Sequence, residues 1–135
     1  MSGVHVQVRV GAELYALPVE SVLEIGEIGL LTATPGASRA ALGVRNLRGD
    51  LLPVFDLAAV LGLARGETPK RLVVAERAGC RAGFAVDEVT DVDLLPEGDQ
   101  EVDSHLLSSA VLIESALVGV IDMDRLFETL EQDAA

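Results

Sequence analysis

The feature that most constrains this chain is an internal repeat, in which the sequence matches itself at an offset of about 66 residues. The matched blocks are residues 16–25 with 83–92 and residues 51–61 with 117–127. Apolar and acidic positions stay in register, so that Glu24 lies over Asp91 and Asp56 over Asp122. Two matches at nearly the same offset predict two similar modules joined in tandem.

The size of the modules predicts how they are organised. The 135-residue chain is long enough for one ordinary domain, whereas a module of about 65 residues has barely enough apolar surface for a core of its own. We therefore expect a single domain over residues 1–135. In this interpretation its barrel halves, approximately 1–65 and 66–135, pack face to face on a shared core.

Short strands dominate the pattern within each module. Val4–Val10 alternates apolar and polar residues, and short Gly-containing turns bound the runs that follow, as in antiparallel hairpins. Half of the residues are apolar but only 3% are aromatic, so the core must be aliphatic. The pattern predicts a mainly β fold of small barrels with short helices.

Asp56 and Asp122 each end a strand and precede a helical apolar spacing. Both are therefore predicted to be helix N-caps, which explains the residue type without a catalytic role. The second helix should run from about Met123 to Gln132. Its apolar face is Met123, Leu126, Phe127 and Leu130.

Composition argues against several function classes. A formal charge of −12 repels nucleic acid and anionic lipid, and no apolar run approaches the roughly 20 residues of a membrane span, so we expect a cytoplasmic protein without direct membrane insertion. His5 and His105 lack metal-ligand spacing, and no nucleotide or nucleophile motif is present. We expect no enzyme activity, cofactor or metal. Cys80 is predicted to be a small residue in a turn between strands, without a reactive-thiol role.

The segment Gly43 to Leu63 reads GVRNLRGDLLPVFDLAAVLGL and closely resembles the pattern of CheW-type coupling proteins and of the related regulatory domain of CheA kinases. Asn46-Leu-Arg-Gly49 is its most specific part, and the resemblance runs from about His5 to Leu130. It implies two five-stranded SH3-like barrels packed on each other. It also implies an adaptor that binds the regulatory domain of a CheA-type histidine kinase and the cytoplasmic tip of chemoreceptors in membrane-associated arrays.

The resemblance also suggests site residues. It pairs Arg48 with Glu24 at or beside the partner surface, whereas Asn46 is expected to shape the turn. Val22 and Val86, with their respective repeat equivalents Val89 and Val19, are expected either in the shared core or in an apolar docking patch. The sequence departs from the family pattern at Ala40, Arg45 and Ser109.

Two other functions remain open at this point. A diverged CheW-like scaffold could serve a non-chemotactic pathway such as surface motility or gene regulation. A small acidic barrel enzyme would need a convergent polar pocket with perturbed titratable groups.

Overall fold

The computed structural model describes residues 3–34, 39–64 and 68–134. The strands are β1 (Gly3–Val10), β2 (Glu13–Pro18), β3 (Val22–Glu27), β4 (Ala41–Leu47), β5 (Asp50–Asp56), β6 (Arg71–Arg77), β7 (Cys80–Val86), β8 (Glu88–Leu95), β9 (Leu107–Ile113) and β10 (Ala116–Ile121). The helices are α1 (Leu57–Val60) and α2 (Met123–Ala134), and a 3-10 turn covers Val19–Ser21.

These strands form two five-stranded sheets, each of which curls into a small barrel. Barrel A has the strand order β8-β1-β2-β10-β9, and barrel B has the order β3-β6-β7-β5-β4. The mainly β class, the two five-stranded units and the C-terminal helix predicted from the sequence are confirmed.

The barrels do not coincide with the two halves of the chain. Barrel A combines β1 and β2 with β8, β9 and β10, whereas barrel B combines β6 and β7 with β3, β4 and β5. The assignment of residues 1–65 to one barrel and 66–135 to the other is therefore wrong. The expected boundary itself lies outside the described residues. Each opening hairpin pairs with the other half because its second strand joins a strand there in parallel, β2 with β10 and β7 with β5.

The repeat reappears in the register of these parallel pairs. Val120 lies opposite Ala16 in barrel A, and Val54 lies opposite Gly83 in barrel B. The sequence repeat aligns the same residues, Val54 with Val120 and Ala16 with Gly83. Exchanging the halves of the chain converts one strand order into the other, so the barrels are related by the repeat although neither belongs to one half.

A shared core lies between the barrels and under both helices. β1 contributes Val6, Val8 and Val10, which are spaced two residues apart and so lie on one face of the strand. Phe84 is fully buried, with its ring centroid 6.4 Å from that of Phe55 and 5.9 Å from that of Phe127. Each barrel also has a smaller core of its own. Each barrel therefore buries apolar surface against the other barrel and under the helices.

Both helices follow a strand that ends in aspartate. Asp56 Oδ1 accepts a hydrogen bond from the Ala58 N–H at 3.2 Å, and Asp122 Oδ1 accepts one from the Arg125 N–H at 3.2 Å. Such bonds satisfy N–H groups of a first helical turn that have no partner within the helix. The predicted start of α2 at Met123 is confirmed. All four residues of its predicted apolar face are buried.

Candidate partner-docking site

The family-like segment forms the hairpin of β4 and β5 in barrel B. Its last strand pair is Leu47 with Asp50, which leaves Arg48 and Gly49 as a two-residue turn. Both have positive φ angles, 53° and 90°, as a type I′ turn requires. Asn46 Oδ1 accepts a hydrogen bond from the Gly49 N–H at 2.9 Å. The Asn46 side chain thus holds the turn in shape, while the Arg48 side chain projects from it.

Arg48 extends to Glu24 on β3, where its Nη2 lies 3.3 Å from the Glu24 Oε2. The structure therefore brings together the two residues that the resemblance paired, through one close nitrogen–oxygen contact. The Arg48 side chain is 79% exposed and that of Glu24 is 30% exposed. Solvent screens such an exposed ion pair strongly, so the pair contributes little to stability. Because the Arg48 side chain is so exposed, its guanidinium remains accessible to a partner.

A second arginine, Arg45 on β4, also reaches β3. Arg45 Nη1 donates a hydrogen bond to the Glu27 carbonyl oxygen at 2.7 Å, and its guanidinium lies over Gly29. β3 and β4 are the two edge strands of the sheet that forms barrel B, so these arginines bridge the seam at which the barrel closes. Two backbone hydrogen bonds between Thr32 and Val44 continue the seam.

The role of Arg45 was not found from the sequence, where it stood only as a departure from the family pattern. An arginine at a strand position that usually holds an aliphatic residue was the signal available. Its partner is a backbone carbonyl, which carries no residue-specific signature. The contact could therefore be found only in three dimensions.

Two large apolar side chains flank the ion pair in sequence and are exposed. Leu51, paired with Asn46 across the hairpin, is 75% exposed, and Leu23, next to Glu24, is 51% exposed. Leu23 lies at the register shift between Val22 and Glu24, where β3 bulges against β6. The bulge lets Val22 and Ile25, three residues apart, both pack against the shared core while Leu23 points to solvent.

The valines expected in a core or a docking patch divide between environments. Val86 is 1% exposed and lies in the shared core, so it is unavailable to a partner and its place among the docking candidates is wrong. Val22 is half-buried against the same core, as is Val89. Val19 is 37% exposed on the 3-10 turn.

Other chemistry is limited within the described ranges. No group of three or more His, Cys, Asp or Glu residues could hold a metal ion, and no helix there is long and apolar enough to cross a membrane. Cys80 is exposed at the start of β7, directly after the Ala78-Gly79 turn. Burial raises the pKa of the Tyr15 hydroxyl, with a further contribution from Glu13, but this side chain belongs to the shared core.

The comparisons with known proteins agree with this geometry. Residues 5–131 match the family described as CheW-like domain. The chain belongs to the CheW-like domain family. It is 30% identical over 137 residues to "Probable chemotaxis protein CheW" of Rhizobium etli, an alignment that covers 94% of this chain and 88% of the relative. It is also 32% identical to "Protein FrzA" of Myxococcus xanthus, which covers 93% of this chain and 86% of that protein.

A solved structure gives the same picture of the CheW-like fold. The scaffolding protein TtCheW from Thermoanaerobacter tengcongensis superposes with a TM-score of 0.84 at 26% identity, over 94% of this chain and 88% of that chain. The fold and the chemotaxis CheW family are thereby established for this chain.

The two remaining departures from the family pattern are accommodated inside the CheW-like fold. Ala40 is buried in the shared core, and its carbonyl oxygen accepts a hydrogen bond from the Asp56 N–H at 2.8 Å. Ser109 lies in β9 directly against Gly98, and a Cβ added to Gly98 would lie 2.6 Å from the Ser109 Cβ.

Proposed function

We propose that this CheW-like protein is a non-enzymatic adaptor that couples chemoreceptors to a CheA-type histidine kinase in the cytoplasm. It would bind the regulatory domain of the kinase and the cytoplasmic tip of the receptors. The family match over residues 5–131 carries the proposal, because it spans both barrels.

The hairpin of β4 and β5 is well suited to binding a protein partner. Its turn is held by Asn46 and tied to β3 through Arg48 and Glu24, so little conformational freedom is lost on binding. Leu51 and Leu23 supply exposed apolar surface beside these charges. Protein interfaces commonly combine such an apolar centre with a polar rim. We therefore place Arg48, Glu24 and Leu51 in the kinase or receptor interface.

The test measures binding to the regulatory domain of the CheA-type kinase of the same organism, by calorimetry and by pull-down with receptor fragments. The wild-type chain should bind at tens of micromolar or tighter. Arg48→Ala should weaken binding while leaving the melting temperature nearly unchanged, because an exposed ion pair contributes only about 0–1 kcal/mol to stability. Arg81→Ala is the matched control, since Arg81 forms a similar exposed ion pair with Glu76 in the same barrel.

The outcomes distinguish the candidate functions of this protein and the candidate roles of Arg48. No kinase binding at tens of micromolar would contradict the chemotaxis adaptor and favour a scaffold in a non-chemotactic pathway. Loss of cooperative folding in Arg48→Ala would show that the pair is structural. Equal losses in Arg48→Ala and Arg81→Ala would remove Arg48 from the interface and leave only a general effect of charge.

A further inference from the structure

A groove of about 440 Å³ opens on barrel A, whereas the Arg48 turn belongs to barrel B. It is lined by residues of β1, β2, β8, β9 and β10 and by the turn after β9. The side chains that matter here are the apolar Leu14, Ile113 and Val118 and the acidic Asp91, Asp93 and Glu114. Its volume lies within the range of about 300–1,000 Å³ that is usual for ligand sites.

Two of these carboxylates occupy the positions that form the ion pair in barrel B. The repeat aligns Asp91 with Glu24. Glu114 is the first residue of the two-residue turn after β9, as Arg48 is of the turn after β4, and the φ angles are 47° and 53°. The repeat therefore places an anion in barrel A where barrel B has its cation.

The strand pairing shows that this equivalence is spatial. Asp91 pairs with Gln7 across β8 and β1, as Glu24 pairs with Val74 across β3 and β6. Val74 is 1% exposed in the core of barrel B, whereas Gln7 is half-buried and lines the groove. At this position barrel B is filled by Val74 and bridged by Arg48. The equivalent position in barrel A holds Gln7 and opens into the groove.

The groove has no cation of its own. Over residues 3–34, 39–64 and 68–134, no ion pair forms with Asp91, Asp93 or Glu114. Nor does any group of three acidic, His or Cys residues in those ranges have the geometry of a metal site. The acidic rim is therefore complementary to a cationic group at the end of a side chain or other extended ligand.

The shape of the site favours a side chain over an added β-strand. The edge N–H groups of Val92 and Leu94 already donate to the carboxylates of Asp91 and Asp93, at 2.8 and 2.7 Å, which blocks backbone pairing along β8. An aliphatic stem can lie on the apolar floor while a guanidinium reaches the rim. A planar guanidinium with five donors can serve two carboxylates at once, which an ammonium does less well.

We propose that this groove binds an arginine side chain presented by a partner protein, in the place that Arg48 takes in barrel B. The inference does not depend on the kinase-coupling function, since it rests on barrel A alone. The groove would be a second docking site, on barrel A, whereas the Arg48 turn lies on barrel B.

The test is an amide NMR titration of the intact ¹⁵N-labelled chain. The probe is the peptide acetyl-Leu-Arg-Leu-amide, and its counterpart with citrulline is the uncharged isostere. The arginine peptide should shift the amides of residues 90–94 and 113–118, with an affinity at least ten-fold higher than that of the citrulline peptide. Its affinity should fall as salt is raised, because the rim charges are exposed.

Glu114→Arg supplies the missing cation from within the chain and should abolish binding of the peptide. Glu128→Arg makes the same change of charge on the exposed face of α2 and should leave binding unchanged. Asp91→Asn is the second variant if Glu114→Arg does not fold, and it should weaken binding at least five-fold. Equal affinity for both peptides, shifts outside the groove, or equal losses in Glu114→Arg and Glu128→Arg would overturn the proposal.

Discussion

At the scale of single residues, the two aspartates that begin the helices differ in their surroundings. Asp56 is 2% exposed, and its backbone N–H donates to the Ala40 carbonyl oxygen. The side chain of Asp122 is 27% exposed and lies near the Arg125 guanidinium, with Oδ2 and Nε 3.6 Å apart. The same repeat position thus caps a helix in both modules, through the N–H two residues on at Asp56 and three residues on at Asp122, at two levels of burial.

Replacing either aspartate with Ala should destabilise the protein by about 0.5–2 kcal/mol, because helix N–H groups lose their acceptor and the helix dipole loses a negative charge. The loss should be larger at Asp56, where water cannot replace the acceptor. Asn should recover most of it, since its carbonyl oxygen also accepts. Urea denaturation of the four variants checks this. Unchanged stability with lost kinase coupling in Asp56→Asn would instead assign that carboxylate to an interface.

Gly43 and Ser109 occupy equivalent positions in the sequence repeat, but they differ in how they pack against the facing segment. Gly43 has a φ of 150°, and a Cβ there would lie 2.6 Å from the Thr32 carbonyl oxygen. In barrel A, Ser109 carries the side chain, and the glycine lies opposite, at residue 98. In barrel B the glycine that permits the close approach lies on β4, at Gly43. In barrel A it lies in the segment that faces β9, at Gly98.

Gly98→Ala should destabilise the protein by about 1–3 kcal/mol, because the new methyl group would overlap the Ser109 side chain. Adding Ser109→Gly should recover a large part of that loss, since it removes the overlapping atoms. Thermal melts of the two single variants and the double variant form a cycle that measures the coupling. Purely additive effects would show that the two residues do not compete for space.

At the scale of elements, an ion pair ties α2 to the hairpin of β6 and β7. Arg77 Nε and Nη2 donate to Asp124 Oδ1 and Oδ2 at 2.5 and 3.1 Å. The hydrogen bond from Arg77 lowers the pKa of Asp124 below its ordinary value of 3.8, and the same bond raises the pKa of Arg77. The pair joins the first turn of the helix to the strand that its apolar face covers.

The direction of this shift predicts how stability depends on pH. Because the pKa of Asp124 is lower in the folded state, its stabilising effect is present above pH 3.8 and is lost as the pH falls through the folded pKa. The difference in melting temperature between wild type and Asp124→Asn should therefore shrink as the pH falls below about 4. A difference that stayed constant down to pH 2 would contradict the assignment.

At the scale of the whole molecule, the exchange of hairpins makes the barrels interdependent. Each five-stranded sheet takes two strands from one half of the chain and three from the other. A half on its own would lose central hydrogen-bonded partners as well as its side of the shared core. Interlocking of this kind favours unfolding in one cooperative step.

Fragments cut near Gly66, a residue outside the described ranges, should therefore not fold separately. Each isolated half should give an amide NMR spectrum with little dispersion. An equimolar mixture should regain a dispersed spectrum, because the missing strands are then supplied in trans. A dispersed spectrum from either half alone would contradict this prediction and the single-domain organisation with it.

Much of the architecture follows from local pattern. Period-two alternation located strands such as β1, and helical spacing located α2 to within about two residues at its end. The repeat also aligned Glu24 with Asp91, and the turn around Arg48 was identified by its family-like sequence. These features depend on residues close together in the chain, so the sequence alone determined them.

Strand pairing between distant segments was decided only by the tertiary structure. The repeat alignment is the same whether a hairpin stays in its own half or crosses to the other, because sheet hydrogen bonds join backbone groups that are alike in every residue. The closed seam at Arg45 and the open groove beside Glu114 depend on which strands then become edges. Side-chain volume and charge act on those edges only after the chain has brought them together. For this reason the sequence repeat showed two equal modules, whereas the structure has a seam bridged by arginines in barrel B and a groove in barrel A.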